Sequence, residues 1–247
     1  MLLRHLNKPL FSSDNDSNLK SWSSSLIFVI RYAVWRAAKR GVAASEVQIC
    51  VVDTTKFPPA QFVRDKWLLR AYKDLPMTRH ESDFVDLRLN EAYNNGEFLS
   101  QGRVDVTGRS AVFALADLEG HGLSELYPEL FAPPSQNGGW TKRVKTLRSE
   151  WSKLCLTPRK DIDNALRVAD LCFGDAFDQT EIVLLLMAFK ERWLNGPNNM
   201  EETVLPDEPI EVRRFVDRET KFTRRTRGRP LADELGDFFR ASAHPDA

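Results

Sequence analysis

The sequence predicts an α+β fold: a small sheet with covering helices, followed by a helical subdomain and a disordered basic tail. Three observations predict it. A short, nearly continuous apolar run from Glu46 to Asp53 reads as a strand and follows a strongly apolar helix. Glycines at 96, 102 and 108 punctuate two further short strands. Beyond the proline- and glycine-rich stretch 132–139, only helical periodicity remains.

The elements follow in order. Residues 1–20 are polar and weakly patterned, with SSDNDSN at 12–18, and are expected to be disordered. The serines at 21–25 are placed to cap a helix over 25–40, because a serine oxygen accepts from the free N–H groups of a first turn. Gly41 stops that helix by taking the left-handed conformation. Apolar residues on more than one face predict that the helix is buried against two neighbours. The run 46–53 then reads as a strand at the centre of a sheet. After the break at 56–60, residues 61–72 read as a helix with Phe62, Trp67, Leu68 and Tyr72 on its apolar face, and 77–86 reads as a loop. Strands are expected at 97–99 and 110–115, and a turn with a short helix at 118–130.

This part, 21–131, forms the expected α/β domain. The stretch 132–139 is the boundary, and 140–194 forms the helical subdomain, with helices over 140–156, from Asp161 or Asp163 to 173, and over 179–194. Trp140, Trp151 and Trp193 read as packing anchors. Breakers and polarity predict that 195–247 is mostly disordered and basic, apart from a short helix near 231–243.

The chain has 247 residues with 35 basic and 35 acidic side chains, so bulk charge attracts neither nucleic acid nor membrane. Its 3 cysteines form no disulfide framework, which points to a reducing, intracellular setting, cytoplasmic or nuclear. No apolar run approaches the ~20 residues of a membrane span. The 4 histidines lie far apart, and no zinc spacing or phosphate-binding glycine loop occurs. Cys50 and Cys172 read as small buried hydrophobes rather than nucleophiles.

Several phrases recur together: SWSSSLIFVIRYAVWR at 21–36, VVDTTKFPPAQFVRDKWLLRAY at 51–72, GEFLSQG at 96–102, GRS at 108–110 and ELYPEL at 125–130. In that order they resemble a filamentous-fungal family described as a domain of unknown function, over about residues 21–194. The resemblance implies an intracellular fungal protein and supplies no activity.

A serine cluster opening a buried helix, followed by Gly-Glu-aromatic-Leu, also resembles ADP-ribosyltransferase-like domains. In those, a serine and a glutamate line a cleft holding NAD. A carboxylate near the ribose 2′-hydroxyl stabilises the positive charge that builds on the sugar as the nicotinamide bond breaks. The resemblance implies Glu97 as the carboxylate, Ser23 or Ser25 as the orienting hydroxyl and NAD as the cofactor. The basic residue of the early strand would be Arg4 or His5. The sequence departs from that pattern at Asn95, where a Glu or Gln often stands. Read from residues alone, the same serines cap a helix and Glu97 ends a strand facing water.

In the tail, Arg224, Arg225, Arg227, Gly228, Arg229 and Pro230 match the centre of an AT-hook. Glycine lets an extended backbone lie in a narrow A·T-rich minor groove, where two arginines point along its floor. A solvated linker and a nuclear-import signal are the alternatives. The leading functional expectation is a non-enzymatic module that binds an unknown protein partner. An ADP-ribosyltransferase-like domain is the alternative, and DNA contact through the tail is compatible with both.

Overall fold

The computed structural model describes residues 2–6, 18–133, 139–195, 207–223 and 230–239. After helix α1 (Leu2–Leu6) comes strand β1 (Leu19–Ser23), so the expected disorder over 1–20 is corrected at both ends of that segment. Helix α2 (Leu26–Arg40) has the predicted caps. Ser25 Oγ accepts from the Phe28 N–H at 3.2 Å, and Gly41 sits at φ 63°. Leu26, Ile27, Ile30 and Ala33 bury one face. Arg31 is buried with them because its guanidinium donates to the carbonyls of Leu130 and Ala132.

Strand β2 (Gln48–Val52) pairs antiparallel with the later strand β5 (Ser110–Ala114) in a two-stranded sheet. It is therefore not central, as the sequence suggested. Ile49 points inward while Cys50 is exposed, a half-buried alternation that a continuous Val/Ile/Cys run conceals. The predicted helix at 61–72 divides into strand β3 (Val63–Arg64) and helix α3 (Asp65–Ala71). The inward face of α3 carries Asp65, Lys66 and Leu69, whereas Trp67 and Tyr72 are 60% and 51% exposed.

The expected loop at 77–86 is mostly helix α4 (Arg79–Leu89). Thr78 and Glu81 satisfy each other's backbone N–H groups at its start. Strand β4 (Glu97–Gln101) is the middle of a three-stranded antiparallel sheet ordered β1-β4-β3.

Short helices α5 (Leu115–Leu118), α6 (Ser124–Leu126) and α7 (Pro128–Phe131) follow β5. Then come α8 (Trp140–Glu150), α9 (Arg159–Val168) and α10 (Gln179–Met187). The α+β class stands, but the division at 132–139 does not divide the core. One apolar cluster runs from Leu26 and Phe113 through Val144 and Val183 to Phe239. Across the boundary, Trp140 packs on Phe28 at 4.5 Å between ring centroids, and Trp151 packs on Tyr127 at 5.1 Å. Trp193 is 44% exposed and anchors less than expected.

The tail carries the largest correction. Within 195–247, α11 (Ile210–Thr223) stands where disorder was expected, while α12 (Leu231–Phe238) falls within the short helix expected near 231–243. The inward side of α11 is largely charged, with Glu211, Arg214, Asp217 and Arg218 buried beside Phe222. Arg218 donates to the carbonyls of Met187 at 2.6 Å and Lys190 at 2.9 Å, satisfying acceptors left open where α10 ends. Burial lowers the pKa of the Arg218 guanidinium to about 10. Arg214 pairs with Glu191 at 2.6 Å. A helix that buries ion pairs instead of leucines reads as a solvated tail.

Candidate functional site

Antiparallel register brings the two suspected motifs together. Ser23 lies directly opposite Glu97 in the β1–β4 ladder, and Ser21 lies opposite Leu99. Residues two apart on a strand share a face, so Ser21 is the diagonal neighbour of Glu97 and within side-chain reach. Ser21 Oγ donates to Glu97 Oε1 at 2.7 Å. His5 Nε2, on α1, lies 3.1 Å from the same hydroxyl. The single Ser21 proton is committed to Glu97, so His5 must donate through a protonated Nε2. The result is a directed chain from imidazole to hydroxyl to carboxylate.

The other Glu97 oxygen, Oε2, is held by Arg88 of α4, which also donates to Asp65 Oδ2 at 2.6 Å. Asp65 opens α3 and is buried. Burial, reinforced by the charge of Glu97, pushes the Asp65 carboxyl above its usual range against the pull of Arg88.

The other serines have different tasks. Ser23 Oγ donates to the Asn95 carbonyl at 2.6 Å and accepts from the Ser25 N–H at 3.0 Å, which fixes the turn between β1 and α2. Ser25 is fully buried. Besides capping α2, its hydroxyl donates to Glu211 and accepts from Arg148 Nη2 at 3.1 Å. Ser25 is thereby corrected from a ligand-orienting hydroxyl to a structural one. Ser24 Oγ donates to Glu208 Oε2 at 2.6 Å, and Glu208 pairs with Arg64. Arg148 clamps Glu211 through Nε at 3.0 Å and Nη2 at 2.8 Å. Residues 207–211, expected to be disordered, thus form the underside of the serine turn.

Ser21, Ser23, Ser24, Glu97, Arg88 and Glu208, but not the buried Ser25, Asp65 and Glu211, line a cleft of about 1460 Å³ that reaches from β1 to β2. His5, Ser21, Ser23, Arg88, Asn95 and Glu97 form its polar end. Trp22, Phe62 and Phe57, packed edge to face at 5.3 and 5.1 Å, form an aromatic wall of the same cleft, and Trp22, between Ser21 and Ser23, presents to the opposite face of β1, round its edge from the Ser21–Glu97 pair. The Trp22 indole N–H donates to Ser100 Oγ at 2.8 Å, which fixes the orientation of that ring. The cleft exceeds the ~300–1,000 Å³ of ordinary small-ligand sites, and it combines an aromatic wall with one convergent polar end.

Glu97 and Ser23 both line this cleft, while the hydroxyl on the carboxylate is that of Ser21, which the sequence reading passed over. Of the two early basic candidates, His5 lies at the site, and the side chain of Arg4 is outside the described ones. Arg88 was missed because the helix that carries it was read as a loop over 77–86, and no element was assigned to its last turn. Among the described residues, no cluster of three or more His, Cys, Asp or Glu side chains is placed to hold a metal ion. Among the same residues, no helix is long and apolar enough to cross a membrane.

The AT-hook positions Arg224, Arg225, Arg227, Gly228 and Arg229 lie outside the described residues. Pro230 is exposed and opens α12. No protein-family model matches the chain, and neither the curated proteins nor the solved structures yield a match.

Proposed function

We propose that the cleft binds NAD and that the chain is an ADP-ribosyltransferase-like protein with Glu97 as its carboxylate. The observation that carries this reading is the chain of His5, Ser21 and Glu97 at the polar end of the cleft. NAD supplies a ribosyl carbon whose bond to nicotinamide can be broken: nicotinamide leaves as the neutral base, and the carbon bonds instead to the oxygen of water or of an acceptor hydroxyl, which gives up its proton to solvent. Glu97 provides fixed negative charge beside that sugar. Ser21 and Arg88 fix the plane of the carboxylate, and His5 holds the Ser21 proton directed at Oε1. A carboxylate offers about four acceptor sites, so the bonds from Ser21 and Arg88 leave capacity for a ligand hydroxyl. The aromatic wall of Trp22, Phe57 and Phe62 suits a planar base.

The test is nicotinamide release from NAD by the wild type and by Glu97→Gln, with folding of each verified by circular dichroism. Loss of one preorganised charge predicts a fall of about 100-fold or more. Equal rates in the two proteins would remove Glu97 from the chemistry.

A second reading, a module that docks a protein partner without catalysis, is favoured by Trp67, Tyr72 and Leu75. They stand 60%, 51% and 58% exposed along α3 and the turn after it. A chain that leaves NAD intact but loses a partner on Trp67→Ala would fit this reading instead. The free cysteines support an intracellular setting for either. The basic run 224–230 supports weak A·T-preferring DNA contact. Fluorescence anisotropy should show that contact falling steeply with salt, and unchanged binding by an Arg227→Ala, Arg229→Ala double variant would refute it.

A further inference from the structure

We infer that Arg88 is a positioning residue for Glu97, with Asp65 as the counterweight that fixes the guanidinium. The inference rests on the NAD reading for its catalytic consequence, while its structural part stands apart from that reading.

Both contacts leave from the same nitrogen: Nη2 reaches Asp65 Oδ2 and Glu97 Oε2. That nitrogen carries two hydrogens, so one is spent on each acid, and the guanidinium cannot turn about its last bonds without losing a partner. Arg88 Nε is buried with no hydrogen-bond partner among the described residues, so the two acids dictate where the group sits. The side chains of Asp65, Arg88 and Glu97 are 5%, 17% and 16% exposed, which limits screening of the triad by solvent.

The three groups come from three elements. Asp65 opens α3, Arg88 lies in the last turn of α4, and Glu97 begins β4. Packing of α3 and α4 on the sheet therefore sets the carboxylate from behind, while Ser21 and His5 set it from the β1 side. A carboxylate fixed by charge-assisted bonds on one oxygen and a hydroxyl on the other does not need to reorganise when charge develops beside it.

A merely structural role, neutralising two neighbouring acids, would also make Arg88 important for folding. The variants Arg88→Met, Arg88→Lys and the double variant Arg88→Met, Asp65→Asn separate the roles. The double variant removes one acid along with the cation and should recover most of the melting temperature lost in Arg88→Met. Its kcat for nicotinamide release should stay at least 10-fold below wild type with KM changed less than 3-fold, and Arg88→Lys should regain part of kcat. If kcat recovers together with stability in the double variant, Arg88 only neutralises charge and the inference is overturned.

A measurement on the free protein makes the outcome independent of NAD. The carboxyl carbon resonance of Glu97 should move between wild type and the double variant, because one of its oxygens loses its donor. An unmoved resonance overturns the inference. A moved resonance in a protein that never cleaves NAD upholds the positioning of Glu97 and removes the proposed reaction instead.

Discussion

Gly96→Ala tests how closely the C-terminal segment is built into the site. Gly96 holds φ +61°, and an added methyl would lie 2.0 Å from Ser24 Oγ and 3.1 Å from Pro209 Cγ. The left-handed conformation costs a non-glycine residue about 1–2 kcal/mol. The methyl also displaces the Ser24 hydroxyl from Glu208, a bond of 2.6 Å to a buried carboxylate, which is worth about 1.5–3 kcal/mol. Gly96→Ala should therefore destabilise by about 3 kcal/mol in urea unfolding followed by fluorescence. Ser24→Ala alone should cost about 2 kcal/mol, since it removes the same bond. In the Ser24→Ala background the 2.0 Å clash has gone and only the 3.1 Å approach of Pro209 Cγ remains, so Gly96→Ala should then cost only about 1 kcal/mol, a coupling of about 2 kcal/mol. A cost of about 3 kcal/mol in both backgrounds would show that Ser24 does not sit against Gly96. A cost below about 1 kcal/mol in the wild type would refute the left-handed turn as well.

The remaining predictions concern thiols, pH and the α11 contact. Cys50 is exposed and should alkylate first, whereas Cys172 is buried with its thiol pushed up to about 11 and should stay unlabelled at pH 8 until the chain unfolds. Mass spectrometry of iodoacetamide-treated protein reads the order, and early labelling of Cys172 would contradict its placement. Asp207 is held below its ordinary 3.8 chiefly by two hydrogen bonds from Arg70. A depressed carboxylate contributes stability that is present above its unfolded pKa and lost as pH falls through the folded one. Arg70→Met should thus flatten the stability profile on the acid side of 3.8 by at most about 0.5 kcal/mol, since Arg70 is half exposed. A difference appearing only above pH 6 would contradict that assignment. Arg218→Met should cost about 3 kcal/mol by stranding the carbonyls of Met187 and Lys190, and protease should then cut within α11. Unchanged stability would return this segment to the tail.

The sequence disclosed those features whose signal is local. The α2 helix was legible because Ser25 and Gly41 are strong punctuation at both ends, and both cap as expected. The Thr78 and Glu81 capping box that opens α4 is equally local, but the polarity of the stretch masked it, and Arg88 was lost with the helix. The centre-strand reading of 46–53 failed because, among the described residues, β2 has only β5 beside it, which no pattern within the strand reveals. The α11 helix failed for a different reason. Its buried face is stabilised by Arg214 and Arg218 meeting carbonyls and Glu191, partners about 20–30 residues away in sequence.

At the site, Glu97 and the serine cluster stood out through their motif, but which hydroxyl meets the carboxylate is a matter of register. Treating 21–25 only as a helix cap hid the alternation that places Ser21 and Ser23 on one face of β1. The partners Glu208 and Glu211 are more than 180 residues from the serines they bind, beyond any sequence pattern.

Isothermal titration of the intact chain with NAD tests the central claim most directly. A cleft that runs from His5, Ser21 and Glu97 round the β1 edge to an aromatic wall should give saturable heat at a stoichiometry near one, weakened in Phe62→Ala. Absence of heat up to millimolar NAD would contradict the account and leave the cleft to another ligand.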